Sequence, residues 1–559
     1  MSYAQQSSAQ EETAGKIAKS FETLRSSSSR GNLNSQCQKI ADLIWPSQSR
    51  LFGSFGEDTT EGEERGEEAY DTSPCSALNK FTSILDSLLT PMDQIWHRIT
   101  PELAHFKKDR RTNLWLEELN GNIFRKRYAP TSGFVSQNQL VYKGLGAYGN
   151  SALFTDEFKG RRGERGFRYK NIHLSELYFL ENHQGIVEDV YRHYKATAHQ
   201  IVKRWGDKVP ACVKEAAKSD PEKKFMLVHC VAPRMDVDPE REDFMGMDFA
   251  SYYVFLQEKW LLEEGGYHEF PYAVSRYEHV PGECYARSPA MDALPAIKVL
   301  NEEKKTMLTH GHRAVAPPLF SHDDGVLDTF NIKPGAVNQG GVTADGKLLV
   351  HPMPVGSIMI GKDMMDDERY AINDNFLVPL FQMLEQNPQM TATEVMERLK
   401  EKGVLLAPTV GRQYNEYHGQ VIDREIGMEL RQNPELRDRI PPQFLESGAQ
   451  FRLRYESPMA RMQRAEQATG FMRTVETALN IATQTQNPAP LDHFNWDVIV
   501  PEIADIAGVP HAWLNGPDQI AEARAARSEA SQDEQDIAAA PAAAAMVKAQ
   551  ATVAKGRGK

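Results

Sequence analysis

The chain has 559 residues, with 64 Lys and Arg against 77 Asp and Glu and a formal net charge of -13. That length exceeds what one core normally supports, so roughly two to four lobes are expected. The acidic balance disfavours a protein that grips nucleic acid tightly, because such a grip comes from neutralising phosphates, though it allows one that lets DNA pass. A mean hydropathy of -0.52 and the lack of any run of about 18 apolar residues exclude a helical membrane span. The start "MSYAQQSSAQEE" lacks signal-peptide character, so the expected place is the cytoplasm unless the chain leaves inside a larger particle.

Residues 13 to 45 read as helices ending at "IWPSQ", where Pro46 stops the pattern. The acidic, Gly-rich "GEDTTEGEERGEEAYD" reads as a loop. In "ALNKFTSILDSLLTP" one helical face carries Leu78, Phe81, Leu85 and Leu88 or Leu89 before Pro91, which predicts a buried helix. "FVSQNQLVYKGLGAYG" predicts a helix over 134 to 149, with a strand "SALFTDE" after it. Alternation in "LSELYFLENHQGIVEDVYRHYKA" gives two strands joined at Asn182 to Gly185. A short helix follows through "AHQIVKRWG", then strands near "KFMLVHCVAP", "SYYVFLQEKW" and "YAVSRYEHV".

The second half is different. A helix runs from about Ala290 to Ala314 and is halted by Pro317 and Pro318. Residues 320 to 360 are rich in Gly, Pro and β-formers and read as a small strand-and-loop insertion. A helix resumes from about Lys362 to Leu384. After the uncharged polar stretch Gln386, Asn387, Pro388 and Gln389, Thr391 and Glu394 are spaced as a capping box. The helix it opens runs from Ala392 to about Arg431, with a kink or break expected at Pro408. Beyond Pro458 the chain is helical again, and the Ala-rich tail is either a weakly held helix or disorder. The fold class is α+β, predominantly helical.

Few motifs point to catalysis. Gly144, Gly146 and Gly149 satisfy G-x-G-x-x-G, but here a helix precedes and a strand follows, the reverse of the dinucleotide-binding order, so close packing is the expected role. His310 and His312 with "SHDDG" at 321 to 325 could form an imidazole and carboxylate cluster, or the histidines could simply face a helix dipole. "DMMDDE" at 363 to 368 could pair carboxylates for metal or acid/base work, though acids in a first helical turn are the commoner case. The five cysteines are scattered, with no C-x-x-C, and read as free thiols. No cofactor and no metal are expected.

What remains is architecture: two helices bracketing an insert, a polar loop and a long kinked helix, which suits a ring better than a monomer. At this point the sequence resembles the head-to-tail connector, or portal, proteins of short-tailed bacteriophages. The strongest pieces are "YARSPAMDALPAIKVLNEEKK" with its "APPL" stop, and "MTATEVMERLKEKGVLLAPTVGRQYNEY". "LLTPMDQIWHRITP", "YKGLGAYGNSALFTDE" and "ELYFLENHQGIVEDVYRHYKATAHQIVKRWG" follow the family's order, and the resemblance spans about Lys16 to Asn515.

The resemblance implies a dodecameric ring at one capsid vertex with a DNA channel on its axis. It implies a wing over 1–288, a first stem helix over 289–315, a clip over 316–360 and a second stem helix over 361–384. A tunnel loop over 385–390, a long kinked wing helix with its return segment over 391–457 and a crown over 458–520 complete the division. The Ala-rich tail over 521–559 and the acidic loop over 56–71 depart from the family's pattern and take no role from it. The tunnel loop would present Glu385, Gln386, Asn387, Pro388 and Gln389 to DNA, with contact but without a cationic grip. Lys298, Lys304, Lys305, His310 and Arg313 would face the channel or neighbouring copies. Asp323, Asp324, Lys333 and Lys347 would serve docking at the clip. Implied partners are further copies of the chain, double-stranded DNA, the major capsid protein, scaffolding protein, the terminase large subunit and tail adaptor or tube proteins, with no membrane. The implied location is the virion, and the host cytoplasm during assembly. Two rivals stay open: a metal-dependent hydrolase built on the carboxylate and histidine clusters, and a scaffold protein that never touches DNA. For the polar loop, the rival is a plain surface turn.

Overall fold

The structure is a computed structural model that describes residues 8–52, 62–103, 106, 109–161, 163–321, 331, 336–337, 342–343, 345–354, 359–379, 408–448, 451–456, 458–485, 489–506, 509, 513–516 and 519–530. The chain divides into two compact units, one of residues 1–96 and 123–433, the other of residues 97–122 and 434–559. In chain order the elements begin with α1 (Ser8–Arg25), α2 (Ser28–Ile44), α3 (Ser73–Leu89), β1 (His97–Pro101), α4 (Arg110–Arg127) and α5 (Phe134–Tyr148). Then come β2 (Asn150–Lys159), β3 (Arg165–Ile172), β4 (Leu177–Glu181), β5 (Val187–Thr197), α6 (Ala198–Trp205), α7 (Ala211–Ser219), β6 (Lys224–Pro233), β7 (Phe249–Phe255), β8 (Trp260–Tyr267) and β9 (Tyr272–Arg276). The second half holds α8 (Pro289–Val315), β10 (Leu319–Ser321), β11 (Val350–Pro352), α9 (Met359–Asn375), α10 (Gly419–Gln432), α11 (Pro434–Asp438), α12 (Pro442–Glu446), β12 (Phe451–Tyr455), α13 (Pro458–Thr485) and α14 (Trp496–Ile506).

In the first unit, β4-β5-β6-β7-β8 form an antiparallel five-stranded sheet and β3-β2-β9 a three-stranded one. Strand β6, "KFMLVHCVAP", shows why the parts pack as they do, since successive side chains of a strand leave on opposite faces. Phe225 and Leu227 meet Ile201 and Trp205 of α6 and Val213 of α7. Val231, on the same face, packs with Ala152, Phe154, Tyr272 and Val274 of the smaller sheet. Val228 and Cys230 point the other way, onto Ala14, Ile17 and Phe21 of α1. The fold is therefore mixed α+β, as the sequence predicts, with the hairpin turn between β4 and β5 at residues 182–186.

The glycine triplet has a packing role. A Cβ on Gly146 would lie 2.7 Å from the Phe81 ring, and one on Gly144 3.0 Å from the Ser151 hydroxyl. Gly149 has φ +74 and sits 2.6 Å, measured from where a Cβ would be, from the Ala286 carbonyl oxygen. Small residues let α5 press against α3 and against the backbone that enters α8.

Two expected helix boundaries differ. The helix expected over Lys362 to Leu384 starts at Met359 and stops at Asn375, because Leu377 turns left-handed with φ 58. That turn lets both Phe376 and Val378 reach the core. Of the stretch expected to form the long helix, the structure describes residues from 408 on, so the expected kink at Pro408 and the capping box of Thr391 and Glu394 fall at or beyond that edge. Within it, the hydrogen-bond ladder leaves the α pattern at Gln413–His418, which is π-helical.

The second unit contains the antiparallel pair β1 and β12, in register from His97 with Tyr455 to Pro101 with Phe451. Trp115 donates its indole N–H to the Leu436 carbonyl at 2.9 Å. Residues 458–485, 496–506 and 519–530 are helical, and the tail beyond residue 530 lies outside the described residues.

Candidate functional site

Helix α8 starts where the sequence says it should. The Ser288 hydroxyl accepts from the Met291 N–H at 3.0 Å, Pro289 occupies the first turn, and Ala290, Ala293, Leu294, Ile297 and Leu300 supply a buried face. From Asn301 to Val315 the helix has no buried residue. It runs on beyond the core as one arm of an antiparallel hairpin with α9: the Met307 sulfur lies 3.1 Å from the Cβ position of Gly361. The arms continue into the ladder of β10 and β11, with Phe320 opposite His351. A further bridge pairs Val342 with Leu348.

A short strap ties the base of this hairpin to the body. The Asn301 side chain accepts from the Tyr70 N–H at 2.7 Å and donates to the Glu68 carbonyl at 2.8 Å. One residue further, Asp71 accepts from Arg369 of α9 at 2.6 Å. Burial works against the charged form of Asp71, but hydrogen bonds from Ser73 and Arg369 hold its carboxyl below the usual range. The acidic loop, silent in the sequence reading, thus ends in residues that touch both arms.

The implied stem residues are found as follows. Lys298, Lys305 and Arg313 are exposed on α8, while Lys304 and His310 are half-buried. The Lys305 ammonium lies 5.8 Å from the centre of the Tyr70 ring. His310 has its Nδ1 enclosed without a hydrogen-bond partner among the described residues. In the implied clip, Lys347 is exposed in a turn closed by its N–H on the Thr343 hydroxyl at 3.1 Å. Asp323, Asp324, Lys333 and the whole tunnel loop, Glu385, Gln386, Asn387, Pro388 and Gln389, lie outside the described residues.

The acidic run at 363 to 368 is not a first-turn feature, because α9 begins at Met359. Met365 is buried, and Asp366 pairs with Arg369 at 2.8 Å. Across the hairpin, burial and then the charge of Glu368 raise the Glu303 carboxyl. Among the described residues no three His, Cys, Asp or Glu side chains come together as a metal-holding group. The cysteines are free thiols.

The helical segment described from residue 408 is anchored by a buried polar cluster. His418 Nε2 is 2.9 Å from the Tyr142 hydroxyl, and the Tyr417 hydroxyl donates to Asn138 at 2.7 Å. Gln413 donates to the Arg276 carbonyl at 2.8 Å. About two turns further, Arg127 makes a two-point contact with Glu425, which also accepts from the Tyr169 hydroxyl. Burial, and then the nearby Arg127 guanidinium, push the His418 imidazole down to about 3. Sequence reasoning misses this cluster and the strap alike, since their partners are far apart in the chain and share no spacing pattern.

Residues 14–514 match the family model described as "Bacteriophage head to tail connecting protein". The chain is 26% identical over 513 residues to the "Probable portal protein" of Bordetella phage BPP-1, covering 90% of this chain and 89% of that one. It is 25% identical over 535 residues to the "Portal protein" of Salmonella phage epsilon15, covering 92% and 91%. A chain of the "Neck of empty GTA particle computed with C6 symmetry" aligns with 72% of this chain and 85% of its own at 11% identity. Its TM-score of 0.33 is too loose to carry an element-by-element argument.

Proposed function

The chain belongs to the family of bacteriophage head-to-tail connecting proteins, and from that premise we propose how its parts divide the work of a portal. A portal connects head and tail as a ring at the capsid–tail junction and is a component of the virion. In the proposed division the ring has twelve copies, as the family resemblance implies, and the α8 and α9 hairpin forms its stem. The insert between the arms is the clip, offering Asp323, Asp324, Lys333 and Lys347 to the terminase large subunit during packaging and to tail adaptor or tube proteins afterwards. The α+β body faces the major capsid protein and, during assembly in the host cytoplasm, the scaffolding protein. Residues Glu385 to Gln389 form the tunnel loop around double-stranded DNA.

One observation carries this reading: α8 runs on from Asn301 to Val315 without burying a residue and ends in a small β ladder. An arm of that kind gains little in a monomer and has a use in a ring. The proposed role needs no catalytic turnover, since NTP hydrolysis would belong to the motor. End-on electron microscopy of the purified chain tests it, with a ring and an axial hole expected. In an assembled packaging reaction, replacing Gln386 and Gln389 together by Lys should slow DNA entry in a salt-dependent way, because a ring of new cations would hold phosphates. Normal packaging by that variant in low salt would remove the tunnel assignment.

A further inference from the structure

The two arms of the hairpin carry opposite charge on their outward faces. On α8, Lys298, Lys305 and Arg313 are exposed, and with about 3.6 residues per turn they fall on one stripe, opposite the side that holds Met307 against α9. Glu302 is the one acid among them. On α9, Asp363, Asp367, Tyr370 and Asp374 are exposed and share the stripe opposite buried Met365 and Ile372. Tyr370 is 68% exposed. No carboxylate pairs with those three cations, and no cation with those three aspartates, among the described residues.

We infer that the basic outer face of α8 docks against the acidic outer face of α9 in the next copy of this chain. The inference rests on the ring reading above and adds which surfaces meet. Three points favour a second copy. The faces are complementary in charge, so one partner satisfies both at once, whereas DNA could answer only the basic face. They lie on opposite edges of one hairpin, so the contact is head-to-tail, the type that closes into a ring when its rotation does. Their heights also agree. Met307 lies beside Gly361, and Glu303 senses Glu368. Lys305 therefore stands level with the Asp363 to Asp367 turn, and Lys298 level with Tyr370 and Asp374. A neighbour rotated about an axis along the hairpin keeps those levels, which sets Lys298 against an aromatic face and a carboxylate. Exposed pairs of this sort are individually weak. Their main effect is on partner choice and register.

The test uses full-length chains and native mass spectrometry with end-on microscopy. One variant carries Lys298→Glu and Lys305→Glu, the other Asp367→Lys and Asp374→Lys, and thermal unfolding checks that each still folds. Each alone should lose the ring, because both of its faces then carry the same sign. An equimolar mixture should recover rings with alternating subunits, and a chain carrying both reversals should recover them unaided. Wild-type rings beside unchanged rings from either reversed chain would overturn this contact alone. So would lost rings that neither the mixture nor the combined chain restores. If the Lys298→Glu, Lys305→Glu chain assembles normally and is impaired only in DNA packaging, the basic face lines the channel and the inference fails. A wild-type chain that forms no ring would overturn the ring reading and this contact with it.

Discussion

Arg127 and Glu425, 298 positions apart in the chain, meet as a fully buried ion pair. Trp96 and Phe124 stack on the guanidinium at 4.6 and 4.9 Å, and Tyr169 donates to the same carboxylate. The pair joins α10 to the end of α4, so it fixes where α10 sits. Removing one partner leaves the other charged and dry, which typically costs about 3–5 kcal/mol. Glu425→Gln should therefore lower the urea midpoint sharply. Replacing both residues by Met should recover much of the loss, because a well-packed apolar pair of similar volume avoids the desolvation penalty.

His418 gives the protein an acid-sensitive joint. Burial holds its folded pKa at about 3, below the ordinary histidine value of 6.5, so the imidazole stays neutral in the fold while the unfolded chain takes up a proton. The stability this contributes is fully present above pH 6.5 and is lost as pH falls from there through about 3. Comparing thermal midpoints at neutral pH and near pH 4.5 should show a smaller drop for His418→Gln than for wild type. His173, also buried and held at about 3, leaves a residual drop in the variant. An equal drop in both chains would remove His418 from the acid response.

Gly149 should tolerate no side chain. With φ +74 and the Ala286 carbonyl oxygen 2.6 Å from the Cβ position, Gly149→Ala meets both backbone strain and a clash with main chain that has no rotamer to give. Gly185 has a similar φ, +79, but open space around it. Strain alone costs of order 1–3 kcal/mol, so Gly185→Ala should be mild and Gly149→Ala clearly worse in denaturant midpoint. Equal effects would mean that the entry to α8 can shift.

Much of the framework is legible in the sequence because local signals agree with the packing. Ser288 and Pro289 open α8, an apolar stripe buries its first half, and Pro317 and Pro318 close it. Alternation announces β4 and β5, whose faces pack on different neighbours. No local signal announces α4, although Trp115, Leu116, Leu119 and Ile123 are buried there, because Arg and Lys at both ends mask the stripe. The end of α9 is illegible for another reason. Nothing local marks Leu377 as left-handed; burial of Phe376 and Val378 on either side decides it. The π-helical segment is likewise set by long-range partners of Gln413, Tyr417 and His418. Of the implied site, the exposed lysines of α8 can be read directly, whereas the strap that braces the hairpin cannot.

That strap supports the last prediction. Asn301 holds the backbone of Glu68 and Tyr70, and Arg369 holds Asp71, so the residues just before α3 are stitched to both arms of the hairpin. Asp71 is buried, and without Arg369 it is left with Ser73 as its donor, whose N–H lies at 2.8 Å. A buried acceptor that loses a partner costs about 1–3 kcal/mol, so Arg369→Ala should destabilise by that order. Asp71→Asn should recover part of it by removing the stranded charge. Asn301→Ala frees two backbone groups that are exposed to water and should cost about 1 kcal/mol or less. The informative measurement is amide hydrogen exchange along α9. If the strap braces the hairpin, the double variant Asn301→Ala, Arg369→Ala exchanges faster over Asp366–Asn373 while β5 and β6 stay protected. Uniform acceleration across the chain would mean that global stability had fallen, and unchanged exchange in α9 would mean that the hairpin holds its position without the strap.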